Sequence, residues 1–361
     1  MTSSRKSGSP NVFRNPMLAF GLALVFVIYL VRLMVDQQRK EVSVPVEQDD
    51  QPALEVYFTR PGSGGDRQVE QALAAALDGA QRCVDVAMHS FSLERVSEAL
   101  LRARDRQVAL RVVMESDSMD WEIPQRLKET GIPILGDRRE TLMHNKFMVV
   151  DDTEVWSGSL NWTKQGAYQD HNNLIRIRSP YLAKNYTLEF EEMFLDDMFG
   201  ANSPANTPYP FLTIDGAYVE TYFSPEDGVE EKLVSLIGSA RQRILFLMYS
   251  FTSDTLAEAI ISRAESGVAA RGVMDAEQAV SNRGSEYDRL RAAGVDVRLD
   301  GSQGQMHHKA LIIDGNIVVT GSYNFSKNAA TRNDENVLII HDQEVAAEYQ
   351  KEFEEIYAAS K

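Results

Sequence analysis

The stretch H-N-K-F-M-V-V-D (residues 144–151), followed by G-S-L-N (residues 158–161), decides how this chain folds. The same frame returns later in the chain as H-H-K-A-L-I-I-D (residues 307–314) and G-S-Y-N (residues 321–324). Only six histidines occur in the chain, so two of them in matching polar frames indicate an internal duplication. Each copy is called a cassette below, and we expect the two cassettes to form one shared site.

The duplication extends outward from the cassettes. Each cassette is preceded by a short apolar run, a helical pattern and a second apolar run, and this strand-helix-strand order predicts a mainly parallel sheet with right-handed crossovers. Each copy ends in a glutamate-rich helix, E-F-E-E-M-F (residues 189–194) or E-F-E-E-I-Y (residues 352–357), whose glutamates we expect to face solvent. The sequence therefore predicts an α/β protein with two pseudo-symmetric lobes, in which mainly parallel sheets are flanked by helices and the active site lies at the lobe interface.

The amino-terminal part has a different composition. A basic segment at 1–16 precedes an apolar run at 17–35, which we interpret as one transmembrane helix anchoring a single-pass membrane protein. A cleaved signal peptide is the alternative, but no small-residue cleavage site follows Val31. Lysine and arginine counts do not decide which side of the membrane the lobes occupy. We expect a linker at 36–53, lobe 1 at 54–200, a Pro- and Asn-rich connector at 201–216 and lobe 2 at 217–361.

The overall charge restricts the ways in which a substrate can bind. The chain has 37 basic and 53 acidic residues and a formal net charge of −16. A surface this acidic has no long-range attraction for nucleic acid or anionic lipid, so an anionic substrate must be bound locally, in the cleft. The single cysteine, Cys83, excludes an intrachain disulfide and a cysteine zinc cluster.

Within each cassette, the spacing pairs an imidazole with an ammonium group. Residues two apart on a strand point to the same face, and a lysine there neutralises phosphate oxygens while an imidazole attacks phosphorus or transfers a proton. Two imidazoles at one phosphate supply a neutral nucleophile and a protonated acid without a metal or another cofactor. The predicted catalytic residues are His144, Lys146, Asp151, His307, Lys309 and Asp314, and the predicted phosphate-binding residues are Ser159, Asn161, Ser322 and Asn324.

These motifs resemble those of the phospholipase D superfamily, whose pattern is H-x-K-x4-D followed by G-S-x-N. The resemblance spans residues 54–361, and it implies a metal-independent phosphodiesterase with His144 as nucleophile and His307 as acid and base. Members often carry a glutamate just after the G-S-x-N turn. Glu335 supplies it in the second copy, whereas Asn172 stands at the matching position of the first. This departure makes the two histidines unequal and leaves the choice of nucleophile open.

Several substrates fit such a site. The anchor and the acidic surface favour phospholipase D-type cleavage of phospholipid headgroups through a phosphohistidine intermediate. The alternatives are a membrane-tethered endonuclease that cuts single-stranded DNA or RNA, and a phosphatidyltransferase similar to cardiolipin synthase. A catalytically silent scaffold is disfavoured because no cassette residue is missing. The expected partners are the substrate and, through the amino-terminal helix, the membrane; no obligate protein partner is evident. His89, opposite Tyr249 in the repeat, is expected to pack rather than to react.

Overall fold

The structure, a computed structural model, describes residues 42–43, 52–61 and 67–361. Val42–Lys361 form one compact unit. The segment predicted at 1–16, the anchor predicted at 17–35 and most of the linker predicted at 36–53 lie outside the described residues. Within the described part of the chain, no helix is both long and apolar enough to cross a bilayer.

The first half of the chain forms a seven-stranded sheet with its helices. After a short strand β1 (Val42–Ser43), the strands of this lobe are β2 (Leu54–Thr59), β3 (Cys83–Met88), β4 (Ala109–Met114), β5 (Ile134–Gly136), β6 (Lys146–Val150), β7 (Glu154–Gly158) and β8 (Asn172–Arg178). Its helices are α1 (Gln68–Gly79), α2 (Glu94–Asp105), α3 (Glu122–Glu129), α4 (Lys164–Tyr168) and α5 (Pro180–Phe194), with a 3₁₀ turn at Ser116–Ser118.

The second half repeats this order around a nine-stranded sheet. A 3₁₀ turn at Gly200–Asn202 leads into β9 (Phe211–Ile214), β10 (Ala217–Ser224), β11 (Arg243–Met248), β12 (Ala269–Met274), β13 (Asp296–Leu299), β14 (Lys309–Ile313), β15 (Ile317–Gly321) and β16 (Glu335–His341). The helices are α6 (Val229–Ser239), α7 (Asp254–Glu265), α8 (Ala276–Ser281), α9 (Tyr287–Ala292), α10 (Lys327–Thr331) and α11 (Gln343–Ala359).

Both sheets are mixed, so the prediction of mainly parallel sheets is wrong. The first sheet has the order β2-β8-β7-β6-β3-β4-β5, and within it only β3-β4 and β4-β5 are parallel pairs. The cassette strands β6 and β7 are joined by a tight turn and pair antiparallel, as such a short connection requires. The second sheet repeats this order as β10-β16-β15-β14-β11-β12-β13 and adds β9 and β1 at its β10 edge.

Two predicted connecting segments contain strands. Residues 211–214, placed in the 201–216 connector, form β9, which pairs antiparallel with β10 and buries Leu212 and Ile214. Residues 42–43, placed in the 36–53 linker, form β1 and pair with β9. The prolines and asparagines before residue 211 obscure the alternating apolar pattern of β9 in the sequence.

Both faces of each sheet are buried, and successive strand residues therefore enter different cores. In β3, Val84 and Val86 pack with residues of α1 and α2, whereas Ala87 faces a core shared by the two lobes. The shared core also contains the two long helices α5 and α11, with Tyr186 and Tyr349 fully buried. The lobes are thus joined through an apolar interior, which fixes the relative position of the cassette strands.

Steric crowding requires a glycine at the first position of each G-S-x-N turn. Gly158 and Gly321 have φ values of 148° and 142°, a region that side chains other than hydrogen rarely allow. A Cβ atom at Gly158 would lie 2.4 Å from the carbonyl oxygen of Asn173, and one at Gly321 would lie 2.1 Å from that of Asn336. The glycines therefore let the cassette turn approach the neighbouring strand, which carries the partner of each histidine.

Candidate active site

The two cassettes meet at the interface between the lobes. His144 and His307 immediately precede β6 and β14, and the backbone N–H of each donates to the other lobe: that of His144 to the carbonyl of Asp334 at 3.0 Å, and that of His307 to the carbonyl of His171 at 2.9 Å. Both imidazoles are buried, each with 7% of its residue surface exposed. The structure therefore brings the predicted histidines to one interface.

His144 is held by a carboxylate from the opposite lobe. Its Nδ1 lies 2.7 Å from Oε2 of Glu335, and the hydroxyl of Ser322 donates to the same oxygen at 2.6 Å. Because a carboxylate only accepts, Nδ1 carries the proton and Nε2 keeps its lone pair. His144 is thus oriented with the lone pair of Nε2 on the side away from Glu335.

His307 is held by a neutral amide, again from the opposite lobe. Its Nδ1 lies 2.8 Å from Oδ1 of Asn172, which also accepts from the hydroxyl of Ser159 at 3.0 Å. The Asn172 amide nitrogen donates to the carbonyl of Gly166, which fixes Oδ1 as the atom that faces the ring. Nδ1 of His307 is therefore a donor as well, but to a group without charge.

The lysines are buried beside the histidines. The Nζ atoms of Lys146 and Lys309 donate to the backbone carbonyls of His144 and His307, at 2.8 Å and 2.9 Å. Burial lowers the pKa of Lys146 to about 7 and, with repulsion from Lys146, holds the pKa of Lys309 well below its usual range. Two ammonium groups confined in one buried site favour the binding of an anion.

The same positive charge acts on the imidazoles across the lobes. Burial and then the ammonium groups of Lys146 and Lys309 hold the pKa of both His144 and His307 well below the ordinary histidine value. Burial also raises the pKa of Glu335 to about 7, although the two lysines oppose this shift. A phosphodiester anion would offset the lysine charges and restore the protonation that acid catalysis needs.

The remaining turn residues lie behind the site or beside it. Ser159 and Ser322, predicted to bind phosphate, are fully buried and donate to Asn172 and Glu335, so their position corrects that prediction: they orient the partners of the histidines. The side-chain oxygens of Asn161 and Asn324 are buried and have no hydrogen-bond partner among the described residues. Direct phosphate binding by these two asparagines stays a prediction.

The cassette aspartates lie at the opposite end of the cassette strands. Asp151 accepts from the backbone N–H groups of residues 81–83 at 2.7–3.0 Å, and Asp314 accepts from those of residues 241–243 at 2.7–2.9 Å. Both adopt a positive φ of 52° in the turn after the strand. Their place corrects the predicted catalytic role: each connects its cassette strand to the start of the neighbouring central strand.

Other residues support the cassettes in ways that the sequence reading missed. Glu115 accepts from the backbone N–H of Met143 at 2.9 Å, and Asp275 accepts from that of Met306 at 3.0 Å. Both acids directly follow equivalent strands, β4 and β12. An acidic residue after V-V-M in one copy and after G-V-M in the other is the sequence pattern that could have identified them. His89 packs edge-on against the His144 ring at a centroid distance of 5.1 Å, as expected.

Comparison with known proteins agrees with this geometry. The family model described as "Cardiolipin synthase, PLD-like domain" matches residues 73–194 and 233–357. A mitochondrial cardiolipin hydrolase of Chlamydomonas reinhardtii is 32% identical over 126 residues, which cover 35% of this chain and 56% of that protein. A phospholipase D of Rickettsia conorii is 33% identical over 141 residues, which cover 39% of this chain and 70% of that protein.

A solved structure extends the likeness to both lobes. The phosphatidylserine synthase of Haemophilus influenzae superposes with a TM-score of 0.66 at 16% identity, covering 86% of this chain and 87% of that one, which shows a shared fold. The alignments to the mitochondrial cardiolipin hydrolases cover only about half to three-fifths of their length, 49% to 62%. Two matched lobes and two complete cassettes lead to one conclusion: the chain belongs to the phospholipase D-like family.

Proposed function

We propose that this protein is a phosphodiesterase that hydrolyses phospholipid headgroup esters through a phosphohistidine on His144. One observation carries the proposal: two buried imidazoles, each held at Nδ1 by a side chain from the other lobe, stand beside two buried ammonium groups. This arrangement provides a nucleophile, an acid and an anion site without a metal ion.

The chemistry follows from the two Nδ1 partners. Nε2 of neutral His144 attacks phosphorus, and the departing alcohol oxygen takes the proton from Nε2 of His307 as its bond to phosphorus breaks. Water then gives a proton to His307 and attacks phosphorus, which breaks the bond to His144 and releases the phosphate monoester. Glu335 stabilises the cationic ring that forms on His144, and Lys146 and Lys309 stabilise the phosphorane oxygens.

Exposed apolar side chains at the same edge favour a lipid substrate. His89 and Tyr249, which directly follow β3 and β11, pack on the catalytic rings, so the carboxyl ends of these strands open on the site. The parallel neighbours β4 and β12 lead into segments that expose Trp121 (41%), just before α3, and Val280 (82%), on α8. Exposed apolar side chains at the edge of the sheets that carries the histidines suit contact with acyl chains, and the net charge of −16 disfavours nucleic acid.

Three substrates compared side by side test the proposal. The full chain in neutral detergent is assayed at 20 °C on phosphatidylcholine, cardiolipin and a single-stranded oligonucleotide, with and without EDTA. We expect headgroup release from lipid, a rate unchanged by EDTA, and a drop of about tenfold or more on mixed lipid–detergent micelles in the Trp121→Ala, Val280→Ala variant, since even one large apolar side chain buried in lipid contributes about 1.5–3 kcal/mol.

The controls separate membrane contact from chemistry. On a soluble diester such as bis(p-nitrophenyl) phosphate, the double variant should retain the unmodified protein's rate. Cleavage of the oligonucleotide but not of lipid would contradict the proposal and indicate that the protein is a nuclease. Formation of a new phosphodiester when glycerol is added, in excess of hydrolysis, would favour the phosphatidyltransferase, because an alcohol then takes the place of water in the second step.

A further inference from the structure

Behind each catalytic histidine lies a polar cluster that joins the lobes, and the repeat places the two clusters at equivalent positions. The lobe-2 junction consists of Glu352 and Glu355 on α11 with Arg60, His171 and His308. The lobe-1 junction consists of Glu189 and Glu192 on α5 with Glu226, Asp334 and Asn145. In the repeat, Glu189 corresponds to Glu352 and Glu192 to Glu355. From the sequence pattern, all of these glutamates are expected to face solvent.

The lobe-2 junction is balanced by basic side chains. The guanidinium of Arg60 contacts Glu352 at 2.5 Å and Glu355 at 2.8 Å. On the other oxygen of Glu352, the nearest ring nitrogens of His171 and His308 each lie 3.7 Å away. These contacts hold the pKa of Glu352 far below its usual value, although burial opposes the shift.

In the lobe-1 junction, acidic or neutral residues occupy the positions that correspond to the basic residues of the lobe-2 junction. Asp334 stands where the repeat has His171, and Asn145 stands where it has His308. Glu226 lies one residue beyond the position that matches Arg60. The glutamates are kept while their cations are lost, so this junction gathers acids from both lobes.

The acids of this junction have no cationic partner among the described residues. Glu189, Glu192 and Glu226 each offer a carboxylate oxygen, and these oxygens lie within 4.8 Å of one another. Glu192 and Asp334 are 3% and 1% exposed, and one oxygen of each, like Oε2 of Glu226, is buried without a hydrogen-bond partner. Burial and mutual repulsion raise the pKa of Glu226 and of Asp334 to about 8. Several unpartnered buried oxygens in one place are neutralised either by bound protons or by a compensating positive charge, and a cation that displaces the protons would satisfy them all.

We propose that the lobe-1 junction binds a divalent cation of the hard, oxygen-preferring class, Ca²⁺ or one similar to it, in the role that Arg60 has in the lobe-2 junction. Carboxylate oxygens from several chain segments are the ligands that such ions prefer. Glu189 and Glu192 come from lobe 1 and Glu226 comes from lobe 2, so the bound ion would join the lobes.

The lobe-2 junction is not an equivalent metal site, although two histidines and a glutamate meet there. The amide nitrogen of Asn173 lies 3.0 Å from Nδ1 of His308, and its oxygen accepts from Thr320 and Tyr349. The amide nitrogen must therefore donate to Nδ1, which leaves the proton of neutral His308 on Nε2, facing Glu352. A ligating histidine has the reverse arrangement, in which the outer nitrogen donates.

The proposed ion lies behind the catalytic residues and does not touch substrate. The amide of Asn145 donates to Glu189 at 2.9 Å, and the backbone carbonyl of Asp334 accepts from the N–H of His144. The ion is therefore expected to stabilise the junction of the lobes rather than to take part in catalysis.

Cation binding to the full chain tests this proposal. The protein in neutral detergent is freed of metals with EDTA and exchanged into chelator-free buffer. CaCl₂, MgCl₂ or MnCl₂ is then added while thermal unfolding and isothermal titration calorimetry are recorded. At a concentration of 100 Kd, one site per chain should raise the unfolding temperature by about 3 °C or more, because an ion that binds only the folded state stabilises it. Glu226→Gln should abolish both the heat of binding and the shift.

Two further variants test whether the cation response is specific to the lobe-1 junction. Glu355→Gln, at the lobe-2 position that corresponds to Glu192, should retain the full cation response. Glu226→Arg should remove the response and raise the unfolding temperature in EDTA, because it supplies the positive charge covalently. The proposal is overturned if none of the three cations produces heat or a shift, or if Glu226→Gln responds as the unmodified chain does.

Discussion

His144 and His307 occupy equivalent positions in the two lobes, yet Nδ1 of His144 donates to the carboxylate of Glu335 and Nδ1 of His307 to the amide oxygen of Asn172. In the proposed mechanism, a carboxylate stabilises the cationic ring that remains when His144 has bonded to phosphorus. A neutral amide leaves the cationic form of His307 less stabilised, so its proton passes more easily to a leaving group. Under the proposed mechanism, this difference gives separate tasks to the two copies of one motif.

Removing either ring gives the largest expected effect. His144→Ala and His307→Ala should each lower the rate on a lipid substrate about 10²–10⁴-fold or more, the range for lost acid catalysis, with nucleophile loss at the upper end. With a p-nitrophenyl leaving group, which needs no proton, His307→Ala should release one equivalent of nitrophenol and retain a phosphoryl adduct on His144, found by mass spectrometry. An adduct on His307 in the His144→Ala variant would reverse the assignment.

Exchanging the partners sharpens the comparison. Glu335→Gln keeps an acceptor but loses its charge, and it should lower kcat about 10–10²-fold, since a hydrogen bond to a charged group contributes about 1.5–3 kcal/mol. Asn172→Asp should raise the pKa of His307 and move the basic limb of the pH-rate profile to higher pH. Equal and unshifted profiles for both variants would show that the partners do not distinguish the two histidines.

Anion binding should be coupled to proton uptake. The pKa of Lys146 is lowered to about 7 by burial, and a bound anion raises it again. Affinity for sulfate should therefore fall as the pH rises above 7, by up to about tenfold per pH unit for each proton taken up. Calorimetry in buffers of different ionisation enthalpy measures this uptake. Lys146→Arg, which stays protonated, should give a shallower dependence, and a constant affinity from pH 6 to 9 would contradict the coupling.

Substitution of the cassette aspartates should have the smallest effect on catalysis, and the effect should be the same in both lobes. Asp151→Ala or Asp314→Ala removes an acceptor of backbone N–H groups and should lower the free energy of unfolding by about 1–3 kcal/mol. The rate at 20 °C should stay within about twofold, because these carboxylates contact the start of β3 and β11 rather than the histidines. A loss of rate without a loss of stability would return them to the active site.

The duplication, the α/β class and the meeting of the two histidines could be predicted, because they depend on local pattern and on repetition. The strand directions could not, since the sequence does not show that β6 follows β5 through a loop rather than through a crossover helix. The sequence shows that Glu335 and Asn172 occupy matching positions of the repeat, but it does not show that each contacts a histidine ring of the other lobe. Spacing within a single cassette contains no information about such a crossing.

The acidic helices show a second limit of the sequence reading. A run of glutamates normally indicates a solvated face, yet Glu189, Glu192 and Glu352 are buried. Their neighbours come from distant parts of the chain, such as Arg60 for Glu352 and Asn145 for Glu189. Burial of a charge depends on these partners, and only the folded lobes bring them together.

Each histidine receives its partner from the opposite lobe. In a symmetric pair of identical subunits, any substitution of the partner would appear at both rings at once, and the attacking and protonating groups could never be specialised independently. Joining the two copies in one polypeptide removes that constraint. A carboxylate can be lost beside His307 while it is retained beside His144, and gene fusion thereby allows natural selection to tune the two half-reactions separately.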